Sequence, residues 1–308
     1  MPRLPHARSG ATIAAPPERP SGTMIPTDFV RLEPGADGGA RLGFDETRAS
    51  AFAKGVAGDF NPLHDPGDRR FCVPGDLLFA TLVEHYGLHR ETSIGFANMV
   101  DADAALTLPA LAAGAGAVHV ADARGREALV FFVAGDPLVG NEAARRGARA
   151  IVLECVRFSG RTFPDILVPL MRERGVMVNP ERPLIIYKDM AIRIDAGVAL
   201  DGVAGARLVD GAHELAVNGR KGTAILRFEI LEGDGEADDG PRGRRLGEGE
   251  KHFVLGGLRE HGAEAMAGIV AEYATRRARW AETRGEGGAT GPSGAAAPAG
   301  AVPAGETR

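Results

Sequence analysis

The apolar positions of this chain fall into a pattern that occurs twice. In the first half, a helical run from Glu46 to Ala57 precedes a second helix from Gly75 to Tyr86. Leu77, Leu78, Phe79, Leu82 and Val83 leave that second helix apolar nearly all round, which predicts that it is buried. Strand-like runs follow at Thr92 to Val100, Ala104 to Leu108, Ala117 to Ala121 and Ala128 to Ala134. The second half is expected to open with a strand, Ala150 to Phe158, because that stretch is rich in β-branched and aliphatic residues. A helix from Pro164 to Arg174 comes next, with proline at a tolerated helix start. Pro183 to Ile194, Arg207 to Val217, Gly222 to Leu231 and Lys251 to Leu255 are predicted strands, and a charged amphipathic helix, Glu264 to Thr283, closes the pattern.

Each half thus offers one apolar helix followed by several antiparallel-looking strands. The expected fold class is α+β, with two units of curved antiparallel sheet, each wrapped around a buried helix. Two such units can lie side by side and pair their edge strands, which removes an aggregation liability. No residue-level match relates the halves. The expected organisation is a disordered leader (1–27), a first unit (28–145), a second unit (146–257), a C-terminal helix (258–283) and a disordered tail (284–308). That tail is almost all Gly, Ala, Pro and Thr and cannot bury enough surface to fold. Gly233 to Gly249, dense in Gly, Asp, Glu and Arg, reads as a long hairpin loop. Met1 to Gly22 lacks the apolar core of a secretion signal, and Met24 is an alternative start.

Composition narrows the classes. A chain of 308 residues, 44% hydrophobic and 25% charged, is ordinary for a soluble globular protein. Its net charge of -5 argues against a nucleic-acid partner. The longest apolar runs, such as Leu77 to Val83, are too short to cross a bilayer. Cys72 and Cys155 sit in apolar segments without metal-ligand spacing, so both read as small buried hydrophobes in a reducing compartment. The cytoplasm is the default location, and neither a metal nor a cofactor is expected.

The chemistry concentrates in Gly58-Asp59-Phe60-Asn61-Pro62-Leu63-His64. Asp59 and His64 are five positions apart, too far to be neighbours on one helix face, and converge only if Asn61-Pro62 turns the chain. A carboxylate and an imidazole that reach one water can position it and move its protons. Downstream, Val73-Pro74-Gly75 starts the apolar helix, whose first N–H groups are unpaired and carry the positive end of the dipole. A carbonyl placed there would be polarised and an enolate-like oxyanion stabilised. The parts suit the addition of water to, or its removal from, a double bond conjugated to a carbonyl. The blander alternative is that Asp59 caps the turn and His64 is a satisfied structural histidine.

Gly58 to His64 resembles the Gly-Asp-x-Asn-Pro-Leu-His signature of the R-specific enoyl-CoA hydratases and MaoC-like dehydratases of the hot-dog superfamily, and Ala51-Phe52-Ala53 is similar to that family's preceding helix. The resemblance implies a double hot-dog fold. It also implies that Asp59 and His64 activate one water for syn addition to a trans-2-enoyl thioester of CoA or acyl carrier protein, with the Gly75 N–H as oxyanion donor. Asn61 becomes a local organiser beside the substrate, and Phe71 and Phe79, with Phe96 and Phe158, are candidates to line an acyl tunnel, although core packing explains them equally well. The sequence departs from that pattern in three places: Pro74 stands where the family often has His, the segment between His64 and Gly75 is shorter, and the serine that supports the aspartate falls near Ala80, with Thr81 beside it. From about Phe44 to Tyr273 the chain is similar to an uncharacterised family of proteobacterial proteins predicted to hold two hot-dog units.

The expected activity is that of a hydro-lyase in fatty acid metabolism, working as a monomeric pseudo-dimer or a homodimer. A non-catalytic acyl-thioester binding module and an acyl thioesterase are the alternatives. Asp165 has no histidine beside it and reads as support for its helix start. Arg69-Arg70 and Arg220-Lys221 are candidates for a cofactor's phosphates, with solvated charge the safer reading.

Overall fold

A computed structural model describes residues 26–35, 38–111, 116–233 and 243–287. Most of the expected leader, the centre of the charged loop and the tail from residue 288 lie outside the described residues. In chain order the elements are β1 (Arg31–Pro34), β2 (Ala40–Gly43), α1 (Glu46–Phe52), α2 (Gly75–Tyr86), β3 (His89–Phe96), β4 (Leu106–Leu108), β5 (Ala117–Asp122) and β6 (Glu127–Pro137). Then come α3 (Glu142–Arg161), α4 (Val168–Glu173), β7 (Val176–Met177), β8 (Leu184–Ile194), β9 (Ala206–Asp210), β10 (Glu214–Asn218), β11 (Lys221–Glu232), β12 (Arg245–Gly256), β13 (Arg259–Glu260) and α5 (Ala263–Gly287).

The architecture is mixed α+β, dominated by one antiparallel sheet of eleven strands among the described residues. Its order is β1-β2-β4-β5-β6-β3-β8-β12-β11-β10, with β9 also on β11. Strands of the first half lie on one side and those of the second on the other, meeting where β3 pairs with β8 from Glu91↔Arg193 to Gly95↔Asp189. One face of the sheet is solvated and laced with ion pairs. There Arg193 lies near both Glu91 and Glu248, and Arg227 lies between Glu214 and Glu250. Helices cover the other face, and Leu77 and Leu82 of α2 join Ile151 and Val156 of α3 in one continuous apolar core.

The predicted strand Ala150 to Phe158 is instead the middle of α3. The stretch is rich in strand-forming residues, but the buried positions of the helix are Ala144, Gly147, Ala148, Ile151, Val152, Cys155, Val156, Phe158 and Ser159, a helical spacing that covers one broad face. Asn141 starts the helix, its side-chain oxygen accepting from the Ala144 N–H at 2.8 Å. The unit boundary drawn at 145/146 therefore falls inside a helix. Arg207 to Val217 is two strands rather than one: the chain steps off β11 at Gly211 and returns, so β9 and β10 pair different stretches of the same partner. The final helix runs to Gly287, past the expected end at Thr283.

Candidate active site

The motif is built by its own backbone. Asp45 caps α1, which widens into a looser turn over Ala53–Ala57 and ends at Gly58 in the left-handed region, φ 69°. Only glycine takes that conformation cheaply. The chain then makes two successive side-chain turns. Asp59 Oδ1 accepts from the Asn61 N–H at 2.9 Å, and Asn61 Oδ1 accepts from the Leu63 N–H at 3.2 Å. A short 3-10 turn, Pro62–His64, follows. The result brings Asp59 Oδ2 to 3.5 Å from His64 Nε2, so the turn at Asn61-Pro62 makes acid and imidazole converge. Asp59 is both cap and neighbour: one oxygen holds the turn, the other faces the histidine.

His64 is almost fully buried, and its Nδ1 lies 2.7 Å from the Cys72 carbonyl. Burial alone pulls its pKa down. Asp59, the Cys72 carbonyl and Asp76 outweigh that and leave it raised above 6.5. A carbonyl at one ring nitrogen and a carboxylate near the other both favour N–H, which is the form of an imidazolium.

Gly75 is the first residue of α2, so its N–H has no intrahelical partner. The rings of Tyr187 and Phe96 close over it: a β-carbon at this position would lie 2.6 Å from Tyr187 Cδ1 and 3.0 Å from Phe96 Cζ. A cavity of about 880 Å³ opens here, and Asp59, Asn61, His64 and Gly75 all line it. That volume suits a small-molecule ligand.

Three of the four tunnel candidates do not belong to the cavity. Phe71, Phe79 and Phe158 are buried in the apolar core and absent from the lining, so core packing accounts for them. Phe96 does line it, and the aromatic wall is completed by Phe163, Tyr187 and Phe253. Ala80 faces Val152 and Ala148 of α3 on the far side of α2. Thr81 is turned inward, donating to the Leu77 carbonyl at 2.7 Å, so neither residue supports Asp59. Of the basic pairs, Arg70 reaches the cavity, while Arg220 lies in the turn between β10 and β11 and Lys221 is the first residue of β11. Asp165 is exposed at its helix start, and partial desolvation of its carboxyl raises its pKa against the pull of Arg161 and Arg277.

The second half contributes charge that the motif does not announce. Lys251 on β12 is fully buried, with Nζ 2.6 Å from Asp76 Oδ1 and 2.9 Å from Ser159 Oγ. It also lies 5.1 Å from the centre of the Tyr187 ring, within cation–π reach. Asp76 and Ser159 line the cavity while Lys251 sits behind them. Burial pushes the Asp76 carboxyl upward against the pull of Lys251 and Ser159. The sequence signal was a lysine alternating with Phe253 and Leu255 on the inward face of a strand. Among the described residues no group of three or more His, Cys, Asp or Glu side chains is placed to hold a metal, and no helix is long and apolar enough to cross a membrane.

No curated protein matches the chain. A family model described as Protein of unknown function (DUF3581) matches residues 37–264, which include the motif, Gly75 and strands β2 to β13. The chain belongs to that family.

Proposed function

We propose that this protein is a MaoC-like hydratase/dehydratase of double hot-dog type, acting in the cytoplasm on an enoyl or 3-hydroxyacyl thioester of CoA or acyl carrier protein. The observation that carries the reading is the 3.5 Å separation of Asp59 Oδ2 and His64 Nε2 in a cavity that also holds the start of α2. A water hydrogen-bonded to both groups would sit at about 2.8 Å from each, which this spacing permits. In hydration, the water oxygen bonds to C3 of the enoyl group as one O–H bond breaks. The Asp59/His64 pair takes that proton and a proton passes to C2 on the same face, so the pair ends as it began. Negative charge gathers transiently on the thioester oxygen, where the Gly75 N–H and the helix dipole oppose it. The aromatic wall gives room for an acyl chain.

Hydration of crotonyl-CoA, followed by loss of the conjugated-thioester absorbance, tests the proposal. Asp59→Asn and His64→Gln should each lower turnover by about 10²-fold or more. Wild-type turnover in Asp59→Asn would sink the mechanism. A non-catalytic acyl-thioester binder is the second reading, favoured by the orientation of Ala80 and Thr81 away from Asp59. Tight acyl-CoA binding without turnover at any chain length would select it, and release of free thiol from saturated acyl-CoA would instead select thioesterase action.

A further inference from the structure

The loop carrying Asp59 is tied down by a residue far along the chain. Tyr273 of α5 accepts from the Phe60 N–H at 3.2 Å, and its hydroxyl lies 3.2 Å from the Gly58 carbonyl and 3.3 Å from the Gly160 carbonyl. One hydroxyl therefore holds the backbone immediately before and immediately after Asp59. A phenol has one proton and two lone pairs, enough to accept from Phe60 while donating to one of the two carbonyls. Burial pushes its pKa far up, so it stays a donor at any physiological pH.

We propose that Tyr273 is a positioning residue for Asp59, and that α5 is the element that holds the acid at its working distance from His64. The proposal rests on the reading of Asp59 as an acid/base group. Its geometry is specific. Gly58 and Gly160 bring two backbones so close that a β-carbon on Gly160 would lie 2.5 Å from the Ala57 carbonyl oxygen, which leaves no room for a side-chain clamp from either strand of chain. The clamp comes from a third element instead. The Tyr273 ring is wedged edge-on against Phe60 at 5.8 Å and beside Phe163 at 5.5 Å, so the hydroxyl has little freedom to leave. Along the rest of α5, Met266 is the other buried side chain among the described ones, Ile269 and Val270 pack partly buried against the core, and Arg276 adds an ion pair to Asp65 just beyond the motif. Tyr273 also lies outside residues 37–264, the span of the family match.

Tyr273→Phe keeps the ring and removes only the clamp. Expected are a turnover of crotonyl-CoA lowered by about tenfold or more with KM within about twofold, since a small misplacement of a catalytic group costs turnover rather than binding. The His64 imidazole signal, titrated by NMR, should move down toward its ordinary midpoint as Asp59 drifts away, with Asp76 remaining the other carboxylate near the ring. Circular dichroism should find the variant folded at the assay temperature. An unmoved His64 titration overturns the proposal, as does a turnover that falls only in proportion to the folded fraction. If the wild type hydrates no enoyl thioester, the proposed function fails, and the His64 titration still decides whether Tyr273 positions Asp59.

Discussion

Lys251 Nζ lies 2.6 Å from Asp76 Oδ1, and the lysine has no exposure to water at all. The pair joins β12, deep in the second half of the sheet, to the second residue of α2, where the candidate oxyanion donor sits. A buried ion pair gains little over a well-packed apolar pair, but breaking one side strands an uncompensated charge.

Lys251→Met should therefore cost about 3–5 kcal/mol in denaturant unfolding. Adding Asp76→Asn to that variant should recover part of the loss, because the orphaned carboxylate is then neutral. Additive losses in the double variant would mean that the two side chains do not act as a pair.

Gly160 decides how closely the two halves approach. It lies within α3, where alanine is favoured over glycine by about 1 kcal/mol. Against that, the added β-carbon would meet backbone at 2.5 Å, which cannot swing aside. Overpacking of this kind costs about 1–3 kcal/mol and displaces its neighbours. Gly160→Ala should lower the unfolding midpoint and disturb the Asp59–His64 pair, read as a shifted His64 titration.

His64 makes stability depend on pH with a definite sign. Its folded-state pKa is raised above 6.5, so its contribution is fully present below that value and is lost as pH rises through the folded-state midpoint. The stability difference between wild type and His64→Gln should be largest below about pH 6.5 and shrink as the pH rises above it. Chemical denaturation at a series of pH values measures it. A difference that grows with pH would reverse the assignment.

Burial raises the thiol of Cys72 to about 11 and that of Cys155 to about 12. At neutral pH less than about one molecule in a thousand carries a thiolate at either site. Thiol-reactive dye should label the native protein slowly at both positions and the denatured protein at two sites per chain. Rapid labelling of native Cys72 would contradict its environment.

Much of the first half was legible in the sequence because its signals are local. The bounds Gly75 and Tyr86 follow from an all-round apolar run framed by Pro74 and Gly87, and the motif turn follows from Asx residues that bond within two positions of themselves. The α3 error has a physical source: Ile151, Val152 and Val156 have strand-like composition, but the face they share is set by packing against α2 and the sheet. Lys251, Ser159 and Tyr273 could not be found from spacing. Lys251 lies 175 positions from Asp76 and 92 from Ser159, and Tyr273 lies 213 positions from Phe60. Such contacts exist only once the sheet has closed. The same holds for Phe71 and Phe79, whose apolar character could not say which way they face.

The seam between β3 and β8 has a consequence for how the cavity behaves on dilution. A pocket shared by two separate subunits dissolves when they part, so its integrity depends on protein concentration. Here both contributors travel on one polypeptide, and the effective local concentration of each for the other never falls. What the two halves contribute to the pocket is thereby the same at the lowest concentration as at the highest. Each half is also released from having to be a copy of its neighbour: one carries the Asp59–His64 pair, while the other supplies Lys251 and Ser159, a division of labour that identical subunits could not make.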